Sequence, residues 1–565
     1  MSRCRSRRPY LEIATPVILS SMLVLAGCGG VGEEAPVALD TPEVQAALAA
    51  IRPEGVEHHM RILADDSLEG RAPGTRGFEM GSSYAEATLA ALGLEPAGVD
   101  GTYRQPVPLR ESMVVEDASG MTIARATGAS TLAYGEDFYL SPDPLRGEVS
   151  VEDAPVAFVG YGVSAPALGY DDYAGVDVTG KVVVFLSGRP PSFPSNEGAY
   201  YASGATKEAE AVRRGAVGTL TFWDPDDPRF RWNVNAARNK RGSFAWLSAD
   251  GTPSRGDAAI LGSASLNHSA VALLFEGSPR SMEEILAAAA ASEPQGFDLP
   301  ARVSMKTTTT HRRVESRNVV AKLEGSDPEL RDEHVVYVAH VDHFGIGVAM
   351  NGDSVYNGAH DNASGTSILL EIARGYTSLP TPPRRSVIFL VVTAEEWGLL
   401  GSDYFARNPT VPQESLVADF SLDMPFLFHP LLDVVPYGNE HSTLGRSVAT
   451  AAEHMGIGIG PDPIPEQVLF IRSDHFSFIR QGIPALFIKS GFETGDPELD
   501  GAAINAGYRS NVYHTPFDDM TQSFDFGAGA AHGRLNFLTG YIVAQESARP
   551  SWNDGDFFGG LFGKK

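Results

Sequence analysis

The chain runs to 565 residues, with 43% hydrophobic and 20% charged residues and a formal net charge of −27. That length exceeds one ordinary domain, and the composition is that of a globular protein rather than a disordered one. The charge argues against a nucleic-acid partner, which would require a basic face.

Arg3, Arg5, Arg7 and Arg8 precede a short apolar stretch at 17–26, which ends in Leu25-Ala26-Gly27-Cys28. The stretch is too short for a permanent membrane span. It resembles a bacterial lipoprotein signal, so residues 1–28 read as a signal peptide with Cys28 as the lipid acceptor. The protein is therefore expected to be exported and anchored to a bacterial membrane, on its periplasmic or extracellular face. Residues 29–55, opening on Gly29-Gly30-Val31-Gly32, read as a flexible tether. Cys4 and Cys28 are the two cysteines of the chain. The mature domains then hold no disulfide, thiolate ligand or cysteine nucleophile. Any metal must be held by His, Asp and Glu, a donor set that for zinc points to catalysis more than to structure.

Between 56 and 109 the pattern predicts helices with loops, one starting near Glu57 and another over 84–92, stopped by Gly93. From about Thr131 short β-like runs take over. Val156-Ala157-Phe158-Val159 and Lys181-Val182-Val183-Val184-Phe185-Leu186 read as strands and 207–214 as a helix; the alanine run at 287–291 reads as helix too. After Asn318 apolar strands alternate with helical stretches: 334–339, 386–393, 416–422 and 485–488. Continuous apolar runs of this kind belong to strands covered on both faces, so the fold class is α/β, a mixed sheet sandwiched by helices.

Chemistry-bearing residues follow these strands directly. The first ends in His340-Val341-Asp342-His343, the second in Glu395-Glu396 and the third in Asp423. Ligands of open α/β sheets bind beyond the carboxyl ends of the strands, so His340, Glu395, Glu396 and Asp423 are expected on one rim. Two loops add Gly358-Ala359-His360-Asp361-Asn362 and Tyr513-His514-Thr515-Pro516-Phe517-Asp518. Buried carboxylates after a run of apolar residues are costly unless a cation is present.

Together these motifs resemble the di-zinc aminopeptidase family that includes bacterial secreted aminopeptidases, glutamate carboxypeptidase II and the transferrin receptor ectodomain (metallopeptidase family twenty-eight). The match covers about 318–545, with family-like text at Leu68-Glu69-Gly70-Arg71-Ala72-Pro73-Gly74-Thr75. The resemblance implies a zinc exopeptidase fold with 56–130 as its N-terminal part and 304–548 as its catalytic domain. It implies a protease-associated domain inserted at 131–303, leaving 549–565 as a tail. It further implies two Zn2+ ions per chain: His340 and Asp423 on one, Glu396 and His514 on the other, Asp361 bridging. Asp342 would stand near His340, either as a site carboxylate or as one supporting the ligands from behind, Glu395 would be the general base, and Tyr513 would donate a hydrogen bond to the oxyanion. Two positions depart from the family pattern, His360 beside the bridging Asp361 and Asp519 after Asp518.

The expected reaction is hydrolysis of peptides from one end by an activated water, with an aminopeptidase favoured over a carboxypeptidase or dipeptidase. A glutaminyl cyclase-like acyltransferase with a single zinc and a receptor-like binding module without catalysis are the alternatives on this fold. The chain has no G-x-S-x-G elbow, no H-E-x-x-H and no Walker A loop.

Overall fold

The computed structural model describes residues 36–227 and 229–563. The signal peptide and the lipid acceptor Cys28 lie outside the described residues. Among those described, no helix is long and apolar enough to cross a membrane.

Four parallel strands form the centre of the main sheet: Ser386–Val392, His334–His340, Leu416–Ser421 and Ala485–Ser490, in that spatial order. Antiparallel strands flank them, Phe297–Leu323 beside Ser386–Val392 and Asp433–Tyr437 beside Ala485–Ser490. The apolar runs explain the layering. Val335, Tyr337 and Ala339 enter one core with Val387, Phe389 and Val391, while Val336, Val338, Ile388, Leu390 and Val392 enter another on the opposite face. Successive side chains point to opposite sides of a strand, so a run without polar residues requires cover on both sides. Helices Pro53–Leu63, Ser364–Thr377, Leu444–Met455 and Phe526–Gln545 cover the first face, and Leu400–Arg407 and His475–Ile479 the second. Phe526–Gln545 lies close on the sheet at Gly540, where a Cβ would stand 1.9 Å from the Tyr337 hydroxyl.

The strand Phe297–Leu323 is 27 residues long and belongs to two sheets. Its C-terminal part joins the main sheet. Its N-terminal part pairs with Gly120–Arg125 and Glu148–Phe158 in a second sheet that continues through Val182–Leu186, Gly218–Phe222, Ser263–Leu266 and Phe138–Leu140. This sheet has its own core around Phe158, Val182, Leu220 and Val303.

Three details differ from the sequence reading. Residues 42–50, assigned to a tether, form the helix Pro42–Ala50, capped by Thr41 with Pro42 in its first turn, and Val44 and Ala47 are buried. The stretch 56–109 is not helix and loop throughout, because the strand Arg104–Val114 starts within it. The tail 549–565 docks through the helix Phe557–Phe562, with Phe558 fully buried.

Candidate metal centre

The strand His334–His340 ends on His340 itself, and its neighbours end two residues short of Ala394-Glu395-Glu396 and Asp423-Met424. Ala394, Met424 and His514 adopt φ values of 53°, 46° and 60°. Left-handed backbone is uncommon for residues carrying a side chain, and such strain clusters at functional sites. The turn at Ala394 breaks the alternation of the strand, so the carboxylates of Glu395 and Glu396 reach the same centre.

Two groups of donors result. Around Nε2 of His340 lie Oδ1 of Asp361 at 3.5 Å, Oδ1 of Asp423 at 3.6 Å and Oε2 of Glu395 at 3.7 Å. Around Nε2 of His514 lie Oδ2 of Asp361 at 3.0 Å and Oε2 of Glu396 at 3.2 Å. Asp361 thus presents one oxygen to each group. Two ligands each ~2.0–2.1 Å from a tetrahedral zinc stand roughly 3.3–3.4 Å apart, and these spacings bracket that value. His340 Nε2, His514 Nε2 and Asp423 Oδ1 are buried without a hydrogen-bond partner. Orphaned polar atoms of this kind are costly and rare, and a bound cation satisfies them. The residues present therefore fit a pair of divalent ions. Distance alone does not separate Glu395 from Asp423 as a donor to the first.

The surrounding residues fasten the loops that carry these groups. Asp342 accepts the backbone N–H of Glu395 at 3.1 Å and of Glu396 at 3.4 Å, with its Oδ1 3.9 Å from His340 Nδ1. It holds the donors rather than adding one. Asp518 accepts the N–H groups of His360 and Asp361, both at 2.9 Å. Buried Arg71 donates to the carbonyls of Val341 at 2.7 Å, Asn357 at 2.6 Å and Gly358 at 3.0 Å, and also to Leu63. It ties the His340 loop to the Asp361 loop. Gly70 allows that approach, since at φ 67° a Cβ there would lie 2.5 Å from the Tyr356 carbonyl. Lys489 Nζ donates to the carbonyls of Asp423 and Met424, and burial pushes its pKa down to about 7. His343, to which the sequence assigned no role, meets Oε1 of Glu396 at 2.5 Å through Nδ1.

The electrostatics without metal are those of crowded carboxylates. Burial raises Glu395 well above the carboxylate range, and Asp423, Asp474 and Glu396 add to that. Burial and the neighbouring Asp361 push Glu396 up to about 7. For Asp361 burial acts in the same direction, but the adjacent His514 and the other nearby histidines outweigh it and hold the group ionised. A dication placed among such groups reverses the pressure toward protonation.

His360 is packed against Phe426, Phe428, Tyr508 and Phe524. Burial lowers its pKa to about 3, so it is a neutral ring in an aromatic cluster. Asp519 caps a surface turn, accepting from the backbone and hydroxyl of Thr521. Tyr513 stacks on His514 at 3.6 Å between ring centroids, and its hydroxyl accepts a hydrogen bond from Arg472 at 3.0 Å. Burial keeps that hydroxyl protonated well beyond the usual tyrosine range. Arg238, from the helix Trp232–Asn239 of the 131–303 segment, reaches Nδ1 of His514 at 3.3 Å.

Comparison with known proteins places this arrangement. The profile of Peptidase family M28 matches residues 318–537. A "Probable zinc metalloprotease" of Pyrenophora teres f. teres is 28% identical over 267 residues, covering 41% of this chain and 52% of that protein. Aminopeptidase YwaD of Bacillus subtilis is 30% identical over 170 residues, 29% of this chain and 33% of that one. The chain thus spans about half the length or less of these curated relatives. Among solved structures, an aminopeptidase from Aneurinibacillus sp. strain AM-1 aligns over 90% of this chain and 100% of its own, with a TM-score of 0.51 and 17% identity, which is a likeness of fold. Residues 318–537, which carry every donor of the centre, are a domain of Peptidase family M28.

Proposed function

We propose that the chain is a di-zinc exopeptidase that removes residues from the amino end of peptides. The observation that carries the reading is the pair of donor groups sharing Asp361, with Glu395 reaching into one of them. His340, Asp361 and Asp423 would hold one zinc, and Asp361, Glu396 and His514 the other. Bound there, the two ions would supply Lewis acidity and lower the pKa of water from 15.7 toward ~7. Glu395 accepts the proton of the attacking water and returns it to the departing amine, the two halves of general acid–base catalysis. Tyr513, kept protonated by burial, donates to the oxygen that becomes negative as the carbonyl is attacked. Asp342 and Asp518 hold the backbones on which Glu395, Glu396 and Asp361 are mounted.

The presence of two donor groups favours this over a cyclase-like reading with one zinc, and the full donor set with its base favours it over a binding module. Hydrolysis of a peptide with a free amino terminus, beside its N-acetylated twin, tests it in zinc-loaded protein. Only the free peptide should be turned over at an appreciable rate; equal rates for both would refute the end preference, and hydrolysis of neither would refute the activity.

In this reading the 131–303 segment is a protease-associated domain that borders the substrate cleft. The protein is exported and held on a bacterial membrane by a lipid on Cys28, as supported by Leu25-Ala26-Gly27-Cys28 after a basic stretch. Cys28→Ser should release it into the soluble fraction; wild-type protein that is itself soluble, with no lipid, would count against the anchor.

A further inference from the structure

Beside Tyr513 lies a cavity of about 1070 Å3 whose wall includes Arg229, Arg231, Arg238, Arg472 and Arg509, with Glu466 as the single acidic residue in that wall. In a chain with 71 acidic and 44 basic residues this is a local reversal of sign. Arg229 is neutralised by Asp227 at 2.5 Å. The other four have no carboxylate within 4 Å among the described residues. Arg238 meets Nδ1 of His514, Arg472 the Tyr513 hydroxyl and the Gln467 carbonyl, and Arg509 the Asn505 side chain at 3.0 Å. Burial, and then the charge of Arg472, hold the Arg509 guanidinium below its usual range.

These arginines come from three separate parts of the chain. Arg231 and Arg238 belong to the 131–303 segment, Arg472 follows the turn Leu469–Ile471, and Arg509 lies on the helix Gly501–Asn511. Guanidinium groups that converge with no carboxylate within 4 Å, three of them exposed to solvent, present a positive field to an anion entering the cavity. Their planar forks match a carboxylate in two-point hydrogen bonding. Two of them touch Tyr513 and His514, so the cluster begins at the metal centre. A peptide with its scissile carbonyl there can extend its next residue or two into the cavity.

We infer that this cavity binds a carboxylate of the peptide substrate, a conclusion that rests on the peptidase reading above. The carboxylate is either the C-terminal group of a short peptide or the side chain of an acidic residue following the scissile bond. The enzyme is then selective for short or acidic peptides, with the amino end at the metals and the negative charge at the arginines.

The test uses zinc-loaded full-length protein and two matched pairs. Leucyl-alanine against its amide isolates the terminal carboxylate, and leucyl-aspartyl amide against leucyl-asparaginyl amide isolates the side chain. At least one pair should show kcat/KM roughly tenfold higher for the charged member, the size expected of a charge-assisted hydrogen bond. In Arg231→Gln/Arg509→Gln that ratio should fall toward one, with the melting curve unchanged as a control on folding. Calorimetric titration with glutarate, against glutaramide, reads the cavity without catalysis: wild type should bind glutarate and the double variant should not. Equal turnover within both pairs, or a preference that survives in the double variant, overturns the inference and leaves the peptidase reading standing. Glutarate binding that depends on the arginines, in a protein that cleaves none of these peptides, would instead sustain the carboxylate site and overturn the activity. Absence of both binding and cleavage would overturn both.

Discussion

Nδ1 of His343 lies 2.5 Å from Oε1 of Glu396, while Nε2 of His514 approaches the other oxygen of the same carboxylate at 3.2 Å. The carboxylate is thus held from one side by a donor and offers its second oxygen to the metal centre. Partners that orient a ligand commonly change metal affinity 10–100-fold when removed. His343→Phe keeps a ring of similar bulk but loses the donor. It should weaken zinc at the His514 side by about 10–100-fold, read by competition with a chromophoric chelator. Zinc affinity equal to wild type at both positions would show that the contact does not orient Glu396.

Arg71 makes a related prediction at longer range. Its guanidinium satisfies four carbonyls, two of them, Val341 and Gly358, in the loops that present His340 and Asp361. A lysine carries the charge but only one nitrogen, so it cannot serve the same set of acceptors. Arg71→Lys should leave buried carbonyls unpaired, each at a cost of about 1–3 kcal/mol. We expect a lower melting temperature and weaker retention of both ions under chelator, although Arg71 touches no donor side chain. A variant that melts and holds metal like wild type would show that the loops are positioned without it.

Buried histidines set the acid limit of the fold. Burial lowers His334 to about 4, with Lys322 contributing, and lowers His532 to about 4 and His475 to about 3. His532 donates from Nε2 to the Ile488 carbonyl and accepts at Nδ1 from Asn536, so a second proton would break the latter bond. Their folded pKa values lie below the unfolded value of 6.5, so the unfolded chain binds more protons between the two. The stability they contribute is complete above pH 6.5 and is lost as pH falls toward 4. A drop from 6.5 to about 4 corresponds to about 3 kcal/mol per group. In chelator, which removes the effect of metal release, urea midpoints should fall steeply from pH 6.5 to 4. His532→Gln should be less stable at pH 7.5 but show a shallower fall. Parallel pH profiles for the two proteins would contradict the assignment.

The central strands were legible because apolar residues run without interruption through 334–339 and 386–392, a pattern that only double-sided burial explains. The donors were legible because they follow those strands directly. What could not be read was how the chain bends after them. A strand continued through Glu395 and Glu396 would separate the pair, and only the left-handed Ala394 brings both inward. The roles of His343 and Arg71 depend on loops that approach from distant parts of the chain, which leaves no periodicity to detect. The same holds for Arg238, 276 residues from His514 in sequence. His360 departs from the family pattern beside the bridging Asp361, and the reason lies in aromatic rings contributed by other segments, which no local pattern announces. Residues 42–50 looked like a tether because the Gly-rich start at 29–32 obscured the capped helix behind it.

Glu395 and Glu396 are adjacent, yet their surroundings assign them different work. Glu396 is anchored through one oxygen by His343 and turns the other toward Nε2 of His514, as expected of a ligand held in place. Glu395 has only the longer approach to His340, at 3.7 Å, and shares that group with Asp423 and Asp361. A base that shuttles protons can be removed without emptying the site. Glu395→Gln keeps size and polarity but cannot accept the proton, so turnover should fall ~10²–10⁴-fold, the usual range for general acid–base catalysis. Zinc content and KM should stay near wild type. Glu396→Gln should instead lose zinc from the His514 side, because a neutral amide is a poorer ligand, and Asp361 would be left with one ion to bind. Metal analysis and steady-state kinetics on both variants decide between the roles. If Glu395→Gln loses an ion while Glu396→Gln keeps two ions and most of its turnover, the assignment is reversed, and Glu395 joins His340 as a ligand in the way its distance permits. If both variants turn over peptide at the wild-type rate, the donors gathered at these strand ends are not the seat of the chemistry.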